Sequence, residues 1–258
     1  MRRLPAVILL LAAVGLWSLV AFRAWRSRGI SPVQRGFVVA ATSGCFGCHG
    51  VGGLRGFEDP ADKLGAVPPF SRDALQAYAR NEREIREWIL DGVPRRLRAE
   101  AAEGEPALLR MPAWRGVLSD RQVDDLVAYI KAVSDYELPE DPAAELGRQT
   151  AERLACFGCH GPQGRGSMPN PGSFKGYIPA WDGDDFGDLV ADDAELREWI
   201  LEGTPRRLRE NPVARYFLRR QAVQMPGYHG HLTDAELDSI RDYIRWLRDG
   251  SPRVASAR

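Results

Sequence analysis

The pattern of hydrophobic and polar positions divides the chain into one continuous apolar run and a long helical remainder. The run extends from Leu4 to Phe22, with Arg2 and Arg3 before it and Arg23, Arg26 and Arg28 after it. Nineteen residues at a rise of ~1.5 Å each reach about 28 Å, close to the ~30 Å hydrocarbon thickness of a bilayer. Beyond it the apolar positions recur at helical spacing. Val123, Leu126, Val127 and Ile130 share one face of a helix predicted over 120–133, and Leu237, Ile240, Ile244 and Leu247 share one over 234–248. Ser119 with Gln122, and Thr233 with Glu236, form capping boxes at the two starts. Further helices are predicted over 35–44, 82–91, 147–155 and 193–202, and no stretch alternates as a strand. The predicted class is all-α.

An internal repeat organises everything after the apolar run. Gly36, Cys45 and Trp88 recur 111 residues later as Gly147, Cys156 and Trp199. Pro94-Arg95-Arg96-Leu97-Arg98 recurs at the same offset as Pro205-Arg206-Arg207-Leu208-Arg209. From Met111 and Tyr129 to Met225 and Tyr243 the offset is 114, so the second copy holds three extra residues between Arg209 and Met225. The division is therefore an N-terminal segment 1–28, a first domain 29–137 and a second domain 138–258. Leu138-Pro139-Glu140-Asp141-Pro142 forms a short, stiff link that keeps the copies packed together.

The N-terminal run has two readings. A cleaved signal peptide has an apolar region of about 7–15 residues and then a small-x-small site; here Ala13-Val14-Gly15 is followed by more apolar residues. An uncleaved, single-pass membrane anchor is the better match. Arginines on both sides leave the charge rule for orientation undecided. Lys+Arg and Asp+Glu both total 35, a balance that points to no nucleic-acid partner.

All four cysteines fall in two identical motifs, Cys45-Phe46-Gly47-Cys48-His49 and Cys156-Phe157-Gly158-Cys159-His160. Two thiols followed directly by a histidine suit covalent c-type haem attachment, with thioethers to the haem and the imidazole on its iron. A zinc site needs four ligands closing a tetrahedron, and a thioredoxin-like motif needs no histidine. Two motifs in register favour two covalently bound haem c groups. The second iron ligand follows from inventory. Met1 aside, Met111 is the first copy's one methionine, and that copy has no histidine besides His49; Met225 holds the matching place, and each is followed by proline. A thioether raises the potential relative to a second histidine. His229, His231 and Met168 are rivals in the second copy only.

A helix, Cys-x-x-Cys-His, a long loop, Met-Pro and a terminal helix together resemble the class I cytochrome c fold. The doubling resembles di-haem cytochromes built from two fused class I domains, over about 35–248. The resemblance implies that Gly36 with Tyr129, and Gly147 with Tyr243, mark where first and last helices cross. It implies that a proline carbonyl, at Pro60 and Pro171, accepts the Nδ1 proton of the axial histidine. It also implies a haem-propionate bond from the Trp181 indole, for which Phe70 has no counterpart. The repeated arginine segments are read as propionate or interdomain contacts rather than solvated helix ends, and Trp88 and Trp199 as core residues. Export for haem attachment places the domains in the periplasm or on the outer side of the cytoplasmic membrane. The function implied is single-electron transfer between respiratory or photosynthetic redox proteins, with no catalytic residue and no small-molecule substrate. The alternatives are a di-haem enzyme of the peroxidase type, for which His229 and His231 are the only support, a redox subunit of a larger oxidoreductase complex, and a haem-based sensor.

Overall fold

The computed structural model describes residues 3–27, 29–99 and 109–250. The flanking Met1, Arg2 and Arg28 and the tail after 250 lie outside the described residues. Helix α1, Arg3–Ser27, contains the apolar span Val7–Trp25, none of which is buried against the rest of the protein.

The first domain contains α2 (Pro32–Thr42), the one-turn α3 (Phe46–His49), α4 (Arg72–Tyr78), α5 (Glu82–Asp91) and α6 (Asp120–Val133). The second repeats it as α7 (Pro142–Arg153), the one-turn α8 (Phe157–His160), α9 (Phe186–Leu189), α10 (Asp193–Glu202), α11 (Arg206–Glu210), α12 (Pro212–Arg220) and α13 (Asp234–Arg245). Among the described residues there is no strand, only isolated bridges such as Glu58 with Ala66 and Pro169 with Tyr177.

Local chemistry sets the ends. The helices α5, α6 and α10 have the predicted bounds because each begins on a side-chain cap: Asn81, the Ser119–Gln122 box and Asp192. The first helix of each domain starts earlier than predicted. Ser31 caps α2 and Asp141 caps α7, each with proline at the first helical position, where a missing N–H costs nothing. Pro142 is thus a helix start rather than part of a linker. At the other end, α13 stops at Arg245 and the chain continues as a wider π turn, Trp246–Gly250, instead of α-helix to Arg248.

Each domain is built on one close helix crossing. A side-chain carbon added to Gly36 on α2 would run into the backbone carbonyl of Asp125 on α6 and the Tyr129 side chain. One added to Gly147 on α7 would meet the Ser239 carbonyl and Tyr243 on α13. Only glycine lets the backbones approach this closely. Tyr129 then donates its hydroxyl to Gly52 O at 2.9 Å, and Tyr243 donates to Gln163 O at 2.9 Å, tying the last helix to the turn after each histidine. The predicted apolar faces are buried: Val123, Leu126, Val127 and Ile130 in one core, Leu237, Ile240, Ile244 and Leu247 in the other.

The halves are packed together. Gln163 Nε2 donates to Asp135 Oδ1 at 3.0 Å and to Glu137 O at 3.2 Å. At the entry to the first domain, Ser31 N donates to Ser167 Oγ at 3.0 Å, and that hydroxyl donates to Gly29 O at 3.3 Å. The end of α1 therefore lies against the second domain, where Trp25 meets Phe174 edge to face at 5.5 Å.

Candidate functional site

Each cysteine motif is a single helical turn closed on itself. His49 N donates to Cys45 O at 3.0 Å and His160 N to Cys156 O at 2.9 Å. The turn is hung from the first helix by Cys45 N to Ala40 O and by Cys156 N to Ala151 O. Both thiols and the imidazole of a motif thereby line one cavity. The first cavity, about 520 Å³, takes Cys45, Cys48, His49 and Met111; the second, about 540 Å³, takes Cys156, Cys159, His160 and Met225. These volumes suit a bound prosthetic group. The remaining walls are largely apolar, with Ile85, Ile89 and Leu126 in the first and Leu196, Ile200 and Ile240 in the second.

Burial favours the neutral form of both histidines. Burial lowers His49 below its ordinary range and takes His160 down to about 4; the hydrogen bond at Nδ1 opposes this without reversing it. The acceptors are Pro68 O, 2.8 Å from His49 Nδ1, and Pro179 O, 3.1 Å from His160 Nδ1. A carbonyl only accepts, so Nδ1 carries the proton and Nε2 keeps its lone pair for a metal. This corrects the assignment to Pro60 and Pro171. The acceptor lies 19 residues after the histidine, because the chain first makes the small bridged loop Glu58–Ala66 or Pro169–Tyr177 and then returns to the ring. Phe70 packs on His49 at 4.8 Å between ring centres, and Trp181 on His160 at 5.1 Å. Trp181 thus holds the imidazole in place, as Phe70 does in the other copy.

The methionine segments are held by α5 and α10. Gly92 and Gly203 end these helices in the left-handed region, each at φ 72°. An added side-chain carbon there would strike Met111 O or Met225 O. Past the Met-Pro pair, Trp114 N donates to Ile89 O at 3.1 Å and Tyr228 N to Ile200 O at 3.0 Å. Sequence reasoning missed Gly92 and Gly203, as well as Pro68 and Pro179; all four were visible as identities at the 111-residue offset.

The rivals lie elsewhere. His229 and His231 are exposed and line neither cavity, and Met168 lines neither cavity. The arginine segments turn back onto their own domain. Arg96 grips Glu84 through Nε and Nη2, both at 2.9 Å, and Arg207 takes Glu195 in the same way. The bond from Arg96, then that from the Arg80 N–H, holds the Glu84 carboxyl down at about 2. These pairs each lie within one domain, so they are not the expected interdomain contacts. Trp88 and Trp199 give their indole protons to Tyr78 O and Leu189 O and form cavity wall.

The donor set fits haem c. The cysteines are free of disulfides, and burial pushes the Cys45 and Cys156 thiols up. Among the described residues no three His, Cys, Asp or Glu side chains gather as a metal cluster, so the zinc alternative lacks its tetrahedron. Each cavity instead brings two thiols, an imidazole and a thioether together among largely apolar walls.

Comparison with known proteins agrees. Residues 32–130 match the family "Cytochrome C oxidase, cbb3-type, subunit III", and residues 144–248 match the family "Cytochrome c". A solved structure, the Kuenenia stuttgartiensis reducing HAO-like protein complex, aligns at 19% identity over 83% of this chain and 96% of that one. Its TM-score of 0.26 is too low to carry an argument. Two cavities of one design, two family matches in tandem and an all-helical architecture place this chain among the c-type cytochromes, as a pair of fused cytochrome c domains whose chemistry is electron transfer.

Proposed function

We propose that the chain is a membrane-anchored di-haem electron carrier, with Cys45, Cys48, His49 and Met111 holding one haem c and Cys156, Cys159, His160 and Met225 the other. Its parts are the anchor 1–28 and the domains 29–137 and 138–258. The observation that carries this reading is the twice-built cavity, lined in each copy by both motif cysteines, the motif histidine and the Met-Pro methionine among largely apolar walls. Bound haem c supplies one-electron chemistry between ferric and ferrous iron. The chain supplies the rest. The cysteines fix the group covalently. The Pro68 and Pro179 carbonyls orient the imidazoles and raise their basicity. The methionine thioethers favour the reduced state, and the apolar walls exclude water. With His49 and Met111, and His160 and Met225, holding the haem iron, no position on it would be left for a small-molecule substrate, and the partners would be redox proteins.

The α1 helix supports a single-pass anchor in the cytoplasmic membrane, and haem attachment supports a periplasmic or outer-side location, in respiratory or photosynthetic electron transfer. The cbb3-type subunit III match over 32–130 favours a second reading, in which the same carrier is the redox subunit of a larger membrane oxidoreductase; co-purification of a fixed set of partners from membranes separates the two. The exposed positions of His229 and His231 argue against a peroxidase. The test is carbon monoxide added to the reduced full-length protein, after its haem content per chain has been determined. Two haems and no spectral change are expected. One haem per chain, or ready carbon monoxide binding, overturns the reading.

A further inference from the structure

The two copies diverge most in the segment leading to the methionine. After the shared arginine motif the first copy reads 99–110 with Glu100, Glu103 and Glu105 against Arg110. The second reads 210–224 with Arg215, Arg219 and Arg220 against Glu210, and holds the three additional residues. There it forms α12, nine residues long, whose inner face closes the cavity through Ala214, Phe217 and Leu218. Val213, which also lines the cavity, is 62% exposed, and Tyr216, which does not line it, is 55% exposed. Arg220 lies over the Tyr216 ring at 5.3 Å. Among the described residues Arg215, Arg219 and Arg220 form no ion pair, whereas Arg206, Arg207 and Arg209 each lie beside a glutamate.

This helix is joined to the membrane span by a chain of rings. Trp25, the last residue of the span Val7–Trp25, meets Phe174 at 5.5 Å, and Phe174 meets Phe217 of α12 at 5.0 Å. Lys175 Nζ sits 4.3 Å over the Trp25 ring and 3.9 Å from the Asp188 carboxylate. Phe174 and Lys175 correspond to Lys63 and Leu64 of the first copy, so the aromatic path belongs to the second domain alone. Aromatic and basic side chains on one short amphipathic helix, next to the end of a membrane span, are the composition of an interfacial element. Arginines near such a surface are drawn to anionic headgroups.

We propose that α12, with Trp25 and Phe174, seats the second domain on an anionic bilayer surface, so that the wall of its haem cavity rests at the membrane while the first domain stands clear. The proposal rests on the reading of α1 as a membrane anchor. The test uses the full-length holoprotein in vesicles of phosphatidylglycerol and phosphatidylcholine. Three single variants, Trp17→Cys, Tyr216→Cys and Asp120→Cys, are alkylated with a benzophenone maleimide and irradiated, and lipid adducts are counted by mass; the haem cysteines are thioethers, so only the new thiol reacts. Position 17 reports the anchor and position 120 an exposed site on the first domain. Adducts at 17, with adducts at 216 several-fold above those at 120, are expected. The excess at 216 falls in pure phosphatidylcholine and in the Arg219→Gln, Arg220→Gln background. Adducts at 17 with none above the position-120 level at 216 overturn the seating and leave the anchor intact, the outcome for a surface that serves an acidic protein instead. No adducts at 17 overturn the anchor, and the seating with it.

Discussion

In the first domain His49 gives its Nδ1 proton to Pro68 beneath Phe70, and Gly92 makes room for the Met111 carbonyl. In the second, His160 does the same with Pro179 beneath Trp181, and Gly203 with Met225. The backbone acceptors and the glycines that position each histidine and methionine have been kept, while the ring over the histidine changes from Phe70 to Trp181. What surrounds them has not. One copy approaches its methionine through an acidic stretch, the other through a basic, aromatic helix tied through Phe174 to the long apolar helix α1. The difference teaches that the scaffold around the histidine and methionine is common to both copies, whereas the segment at the cavity rim is where they diverge.

The comparison is tested most severely at the helix crossings. Gly36→Ala and Gly147→Ala each force a side-chain carbon onto a carbonyl of the last helix. Each is expected to destabilise its own domain by about 3 kcal/mol, the upper part of the usual overpacking range, read as two separate thermal transitions followed at the haem bands. Equal losses confirm a shared scaffold.

At the ligands, Met111→His and Met225→His are each expected to lower one midpoint potential by on the order of 0.1–0.3 V, part of the ~0.8 V that axial ligands command. Covalent haem is retained in both. A redox titration that leaves either midpoint unmoved removes that methionine from the coordination sphere.

A smaller contrast lies in the arginine clamps. The Glu84 side chain is 5% exposed beneath Arg96, whereas Glu195 is 14% exposed beneath Arg207. Glu84 is held down at about 2, below the ordinary ~4.3. Its contribution to stability is therefore present above the ordinary value and is lost as pH falls toward the folded one. Arg96→Gln is expected to weaken the first domain at neutral pH and flatten its loss of stability between about pH 4 and 2. Arg207→Gln should do the same to the second domain more weakly. Denaturant titrations across that range check both.

The smallest effect is expected from His229→Ala and His231→Ala, which touch neither cavity and should leave the second haem's spectrum unchanged.

Much of this was legible from the residues because the repeat enforces it. Covalent attachment needs the Cys-x-x-Cys-His spacing, and helices with a cap at the start and a periodic face, such as α6, declare their own limits. The exceptions have physical causes. Pro32 and Pro142 look like breakers, yet each sits where a helix needs no N–H. The acceptor for Nδ1 is a backbone carbonyl, a group every residue owns, so only the path of the loop decides that it is Pro68 and not Pro60. The contact of Trp25 with Phe174 joins segments far apart in sequence, and no periodicity announces it. Trp181 was assigned by its donor, whereas its packing against His160 is what the structure displays.

The central claim is that both irons carry one histidine and one methionine. The direct measurement is near-infrared spectroscopy of the oxidised full-length protein, with the sulfur-to-iron charge-transfer band followed through a redox titration and in each Met→His variant. Two low-spin haems are predicted, each contributing to that band, with half of it lost in either variant. A high-spin haem, or one with two histidine ligands in the unmodified protein, would contradict the account.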